Sequence, residues 1–166
     1  MQTRLPTINF RTIREHEGSQ HRAWEELACI LVRDFDALPA NHPIERRAAP
    51  DGGVEFSCVA PTGRGIGVWA WQAKYYRTFN LNEMTKSVTA ALESTPSLSR
   101  YSFVVPIDRS APVLNRWNEK VAEWQAEATK RGMAVDFDFV GHSRVLDALQ
   151  ATKHTGVVRY FFDSRV

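Results

Sequence analysis

The chain has 166 residues, of which 43% are hydrophobic, and a formal net charge of +2. That is enough for one ordinary domain with a real core, and too little charge for bulk electrostatics to announce a nucleic-acid partner. There is no run of 18 apolar residues and no leader-like segment, so neither a membrane span nor secretion is expected, and the expected compartment is the cytoplasm. Two cysteines, Cys29 and Cys58, and five scattered histidines without a Cys-x-x-Cys pair point to reduced thiols in place of a structural zinc site.

A polar, strand-poor lead-in precedes the first expected helix, residues 19–35. At about 100° per residue, Trp24, Leu27, Ala28, Leu31 and Phe35 form one apolar stripe. Glu25 lies at the edge of that stripe beside Val32, with His21 one turn earlier. Glu26 points away from it, near Arg33. Glu25 is therefore the favoured candidate to reach a site at the sheet. A loop with Pro39 and Pro43 follows. Pro50-Asp51-Gly52-Gly53 then reads as a turn into a strand at 54–60.

Thr62-Gly63-Arg64-Gly65 is a second turn, leading into a strand at 66–74. A four-residue loop would pair Pro61 with Ile66. That register sets Glu55 across from Gln72, and Lys74 opposite Gly53. Alternation of side chains then brings Glu55, Gln72 and Lys74 to one face. A slip of one residue would break this convergence.

Further on, helices are expected at 81–94, 112–131 and 142–151, and strands at 100–107, 133–140 and 157–162. Pro112 in a first turn and Gly132 just beyond the end bracket the long helix. β-rich runs separated by helices indicate parallel crossovers. The expected class is α/β, a central mixed β-sheet flanked by helices, in a single domain spanning 1–166. Asp108 and Arg109 read as a strand-end turn pair, Trp117 and Trp124 as a buried helix face, Asp136 and Asp138 as the solvent side of an edge strand, and His142 as a residue near a helix cap. The aromatic run Tyr160-Phe161-Phe162 is either a last strand or the edge of a longer protein.

The chemistry concentrates in the hairpin. A hard cation such as Mg²⁺ takes oxygen ligands, and a phosphodiester under attack needs that cation and a fixed positive charge nearby. An acidic residue, a hairpin turn and then Gln-x-Lys resembles the PD-(D/E)xK nuclease superfamily. The strings Asp51-Gly52-Gly53-Val54-Glu55 and Gln72-Ala73-Lys74-Tyr75-Tyr76 are most similar to its Mrr-type branch. Trp24-Glu25-Glu26-Leu27-Ala28 resembles the acid-bearing first helix of that family. The central acid is Glu where Asp is commoner, and Gln72 contributes no charge. The motif-bearing part spans about residues 20 to 76.

The resemblance implies a restriction-endonuclease-like fold and a metal-dependent DNA endonuclease. It makes Glu25 the helix acid, Glu55 the central metal carboxylate, Gln72 the third polar ligand and Lys74 the catalytic lysine. One Mg²⁺ or Mn²⁺ would be held by Glu55, the main-chain carbonyl of Ala73 and Gln72, and Glu25 would ligate a second ion or position a water. Asp51 is either a further ligand or, on the favoured reading, the residue that shapes the turn with Gly52 and Gly53, whose freedom would let a phosphate backbone approach. The implied partner is DNA, bound through local clusters among Arg46, Arg47, Arg64, Lys74, Arg77 and Lys86; as separate features each reads as solvated surface. Similarity to effector domains of antiphage STAND-type NTPases implies further domains of a larger parent and a homo-oligomer when active. The rival expectation is a nuclease fold that has lost catalysis and serves for DNA binding or oligomerisation.

Overall fold

Ser19 opens the first helix: its hydroxyl accepts the Arg22 N–H at 3.0 Å, a cap that typically contributes about 1 kcal/mol. Helix α1 runs Gln20–Phe35 and buries Ala23, Trp24, Leu27, Ala28, Leu31 and Val32, the stripe expected from the periodicity except that Phe35 is only partly buried. The computed structural model describes residues 4–36, 38, 41–62 and 65–165; Pro39, Gly63 and Arg64 lie outside them. After α1 come β1 (Glu45–Arg46), β2 (Phe56–Thr62), β3 (Gly65–Ala73), α2 (Leu81–Ser94), β4 (Leu98–Val104), α3 (Ala111–Lys130), β5 (Asp136–Val140), α4 (His142–Leu149) and α5 (Thr155–Phe162).

The strands form one mixed sheet in the order β1-β2-β3-β4-β5. β1 to β3 are antiparallel neighbours. β4 lies parallel to β3, and β5 parallel to β4. The two parallel steps need crossovers, which α2 and α3 supply. The hairpin register is the expected one: Pro61 pairs with Ile66, and the ladder runs from Phe56–Trp71 to Thr62–Gly65. The chain is thus an α/β protein with a five-stranded mixed sheet flanked by helices.

Each face of the sheet has its own core. On one side Trp24, Leu27 and Leu31 of α1, with Val145, Val158 and Phe161, pack on Phe56, Cys58, Trp71, Ala73, Val104 and Val140. On the other, Met84 and Val88 of α2, with Trp117 and Trp124 of α3, pack on Val54, Ala70, Tyr101, Phe103 and Phe139. Trp117 and Trp124 meet edge to face, 5.4 Å apart, as buried-face residues. Cys29 and Cys58 are free thiols. Among the described residues no helix is long and apolar enough to cross a membrane.

Three expectations change. The 157–162 run is helical, not a strand. Val158, Phe161 and Phe162 are buried while Tyr160 is 47% exposed, the i, i+3, i+4 spacing of a helix face. A six-residue, mostly apolar run fits both periods, and the α1 side of the sheet, not its edge, offered the space. The lead-in is not a passive tail: Phe10 and Ile13 are buried, and the Arg14 N–H donates to the Phe161 carbonyl at 2.8 Å. Asp138 does not simply face solvent; it accepts from Arg100 at 2.9 Å and Arg144 at 2.8 Å, joining β4, β5 and α4, while Asp136 is exposed.

The smaller sites are structural. Asp108 accepts the Ser143 N–H at 3.1 Å and caps α4. Arg109 lies over the Phe139 ring at 4.5 Å and the Trp117 ring at 5.6 Å. His142 is the first residue of α4, its ring edge-on to Phe10 at 4.9 Å. β1 was not anticipated, since two charged residues carry no apolar pattern.

Candidate active site

β2 begins at Phe56, and the residue before it leaves the regular ladder. The Glu55 N–H donates to the Trp71 carbonyl at 3.1 Å, and the Glu55 carbonyl accepts from Arg47 at 2.9 Å. Its carboxylate Oε2 accepts the Ala73 N–H at 2.7 Å. Val54 packs in the α2–α3 core and Phe56 in the α1 core, so strict alternation does not hold through Glu55. Its side chain lies at the crossing of the two faces and is pinned to the end of β3 by the Ala73 amide.

That carboxylate lines a cavity of about 410 Å³ together with Glu25, Asp51, Cys29, Arg22 and Arg46. Glu25 comes from α1, Asp51 from the turn before β2, and Arg46 from β1. Glu26 takes no part; it pairs with Arg46 at 2.7 Å. Both cavity glutamates are held toward the neutral form. Burial pushes the Glu55 carboxyl up to about 8; the Ala73 amide opposes this, the Glu25 charge adds to it, and the Lys74 charge pulls back. Burial likewise raises Glu25, against the attraction of Arg22, His21 and Lys74. Lys74 thus stands close enough to act on both carboxylates.

Gln72 lies between Trp71 and Ala73, whose side chains enter the α1-side core. It is 3% exposed, and its Oε1 is buried without a hydrogen-bond partner. Gln72 and Lys74 do not line the cavity. Of the three residues that alternation was expected to bring to one face, Glu55 alone lines the cavity, where Glu25 joins it; Lys74 acts on both through its charge, and Gln72 is buried outside the cavity lining with an unused acceptor.

The turn before Glu55 is built as an Asx turn. Asp51 Oδ1 accepts the Gly53 N–H at 2.9 Å, and the Asp51 carbonyl accepts from Val54 at 3.3 Å. Gly53 has φ of +79°, and a Cβ there would stand 2.3 Å from the Ser87 carbonyl oxygen of α2. The close approach that demands glycine is thus to a helix backbone, not to an incoming phosphate. Tyr101 holds the same turn, its hydroxyl donating to the Gly53 carbonyl at 2.5 Å. Arg47 ties it to the end of α2, donating to the Asp51 carbonyl at 3.2 Å and to Thr95 at 2.8 Å. These long-range clamps left no signal in the sequence.

Of the expected basic cluster, Arg46 and Arg47 line the cavity, Arg77 is exposed, Lys86 pairs with Glu83 at 3.0 Å, and Arg64 lies outside the described residues. A larger groove of about 960 Å³ opens at the other end of the sheet, but among the described residues its ionisable lining is Arg100 and Asp136 alone. The titratable chemistry belongs to the smaller cavity.

The chain matches no protein-family model and no curated protein. Among the described residues, no group of three or more His, Cys, Asp or Glu side chains lies close enough together to hold a metal ion. The oxygen donors that are present suit a hard cation in kind. Glu25 and Glu55 bring carboxylates whose charged form burial disfavours, the Cys29 thiol stands in the same cavity, and the Gln72 amide oxygen, outside the cavity lining, is a buried acceptor without a donor.

Proposed function

We propose that this chain is a metal-dependent DNA endonuclease domain of the PD-(D/E)xK superfamily, Mrr-like in its motifs and restriction-endonuclease-like in its fold. The observation that carries this reading is the meeting of Glu25 and Glu55 at one cavity, with Lys74 as the opposing charge. Three segments distant in sequence supply the acid of a helix, the acid before a strand, and the lysine after the next strand. That is the order the family resemblance requires, and the α-β-β-β-α-β succession around it is compatible with such a fold.

Glu55, Gln72, the Ala73 carbonyl and Glu25 would hold Mg²⁺ or Mn²⁺. When bound, the cation supplies charge neutralisation at the phosphate and a more acidic water. The protein's own groups do the rest. The Ala73 amide fixes Glu55 Oε2 in place before substrate arrives. The Lys74 ammonium stabilises charge as it develops on the phosphoryl oxygens. Glu25 ligates a second ion or positions the attacking water. The Arg22 and Arg46 guanidiniums at the rim hold flanking phosphates. By resemblance, the biological role is that of an effector in antiphage defence or restriction, carried by a larger parent protein.

The rival reading, a nuclease fold kept for DNA binding or oligomerisation without catalysis, draws on the lack of a three-carboxylate cluster among the described residues. Plasmid cleavage separates the two. The active reading expects nicking with Mg²⁺ or Mn²⁺, none in EDTA, and a loss on the order of 10²–10³ in rate for Lys74→Ala. Cutting in EDTA, or full activity of the purified Lys74→Ala protein, would remove the assigned site. A wild type that binds DNA but never cleaves it would favour the rival.

A further inference from the structure

One carbonyl at the end of β4 serves both sides of the cavity. The Val104 carbonyl accepts the Trp24 indole N–H at 3.0 Å. It also accepts the main-chain N–H of Lys74 at 2.9 Å. Trp24 directly precedes Glu25 on α1. A carbonyl oxygen has two lone pairs, so both bonds form at once. The indole is 1% exposed and wedged between Phe10, 5.2 Å away and edge-on, and Tyr75, 6.2 Å away. Tyr75 is in turn fixed by its hydroxyl, which donates to the Phe10 carbonyl at 2.5 Å. The residues on either side of Lys74 are thus both anchored: Ala73 through Glu55, and Tyr75 through Phe10.

We propose that Trp24 is a positioning residue for the hydrolysis: its indole N–H, through the Val104 carbonyl, sets the distance between the Glu25 carboxylate on α1 and the Lys74 ammonium beyond β3. This rests on the nuclease reading above. Glu25 and Lys74 sit on separate elements; the far end of α1 is tied to the sheet by Asp36, which accepts the Trp71 indole N–H at 2.7 Å and an Arg100 N–H at 2.8 Å, whereas at the cavity end the tie is the shared Val104 carbonyl. Both have long side chains whose reach depends on where their backbones lie. A misplacement of about 1 Å between reacting groups is enough to cost roughly 10² in rate. Apolar packing alone tolerates sliding on that scale, whereas a buried N–H bonded to a shared acceptor does not. A phenylalanine would fill most of this site but would delete the polar tie at the cavity end of the helix, leaving only the Asp36 contacts at its far end.

The test is Trp24→Phe, which keeps a ring and deletes the donor. It is measured with Mg²⁺ on a short duplex, beside the wild type and a Leu31→Val protein, a core change on the same helix with no polar contact. The expected result is a kcat lowered about 10- to 100-fold with KM changed less than about threefold. Leu31→Val should stay within about twofold of the wild type. A second readout does not depend on turnover: the Lys74 amide resonance should shift, and its hydrogen exchange accelerate, in Trp24→Phe but not in Leu31→Val. If Trp24→Phe fails to fold, 3-benzothienylalanine at position 24, which keeps the indole shape without the N–H, takes its place. Unchanged kcat with an unmoved Lys74 amide overturns the positioning role alone. A wild type that cleaves no DNA with any divalent metal overturns the nuclease reading, and this proposal with it.

Discussion

Glu55 shows at the residue scale how a buried carboxylate lowers the stability of its own fold. Its folded pKa of about 8 lies above the ordinary 4.5, chiefly because burial disfavours the charge. Between those values the folded protein holds a proton that the unfolded chain has released. The stability from this group is therefore full below about pH 4.5 and is lost as pH rises toward 8. Replacing it with Gln removes the titration and keeps a carbonyl oxygen for the Ala73 amide. Glu55→Gln should stabilise the metal-free protein at pH 8 by on the order of 3 kcal/mol, and by much less at pH 5. Urea unfolding at the two pH values checks this; equal stability of the two proteins at pH 8 would mean that the carboxylate is not desolvated. The neighbouring pair on α1 is sorted by position alone. Glu25 faces Glu55 across the cavity, and Glu26 faces Arg46 at 2.7 Å. Glu25→Gln should slow cleavage by about 10² or more, and Glu26→Gln by less than about threefold. Comparable losses in the two proteins would place the acid on the wrong residue.

At the element scale, the turn before β2 is the part whose backbone is most constrained. Gly53→Ala would push a Cβ into the α2 backbone, 2.3 Å from the Ser87 oxygen, at a φ of +79°. Gly18 has a similar φ of +83°, but its Cβ would meet nothing within 4 Å. The two substitutions separate strain from crowding. Gly18→Ala should cost about 1–2 kcal/mol, and Gly53→Ala about 2–4 kcal/mol more through displacement of the turn from α2. Denaturant unfolding of both variants decides it; equal losses would show that α2 yields. The same region marks what the sequence makes legible. The hairpin register followed from turn chemistry and alternation, and the α1 face from its period, because both are local rules. The helical state of 157–162 and the α2 clamp on Gly53 were not legible. Each depends on which surface a segment meets after the chain has folded back, and a six-residue, mostly apolar run or a Gly-Gly pair carries no record of that.

At the scale of the whole molecule, the candidate site sits beyond the carboxyl ends of the parallel strands, where Lys74 follows β3 and Val104 ends β4. Parallel α/β sheets bind ligands at that end, because main-chain and helix groups converge there without closing over it. The chain carries a net charge of only +2. Binding to duplex DNA without sequence contacts draws on neutralised phosphates, so a near-neutral domain holds DNA weakly at physiological salt. One site also cuts one strand at a time, and a double-strand break needs two sites on the same duplex. Joining copies raises the local concentration of sites to the millimolar range for short flexible linkers. On the nuclease reading, the 166-residue chain by itself should therefore nick supercoiled plasmid slowly and linearise it poorly, while a fusion to a tetrameric scaffold, at equal site concentration, should linearise it about 10²-fold faster. Arg22→Gln and Arg46→Gln, which remove rim charges beside the cavity, should weaken the fusion less than the single domain, because avidity offsets the lost contacts. If the single domain linearises plasmid as fast as the fusion, one copy suffices and the requirement for clustering is wrong.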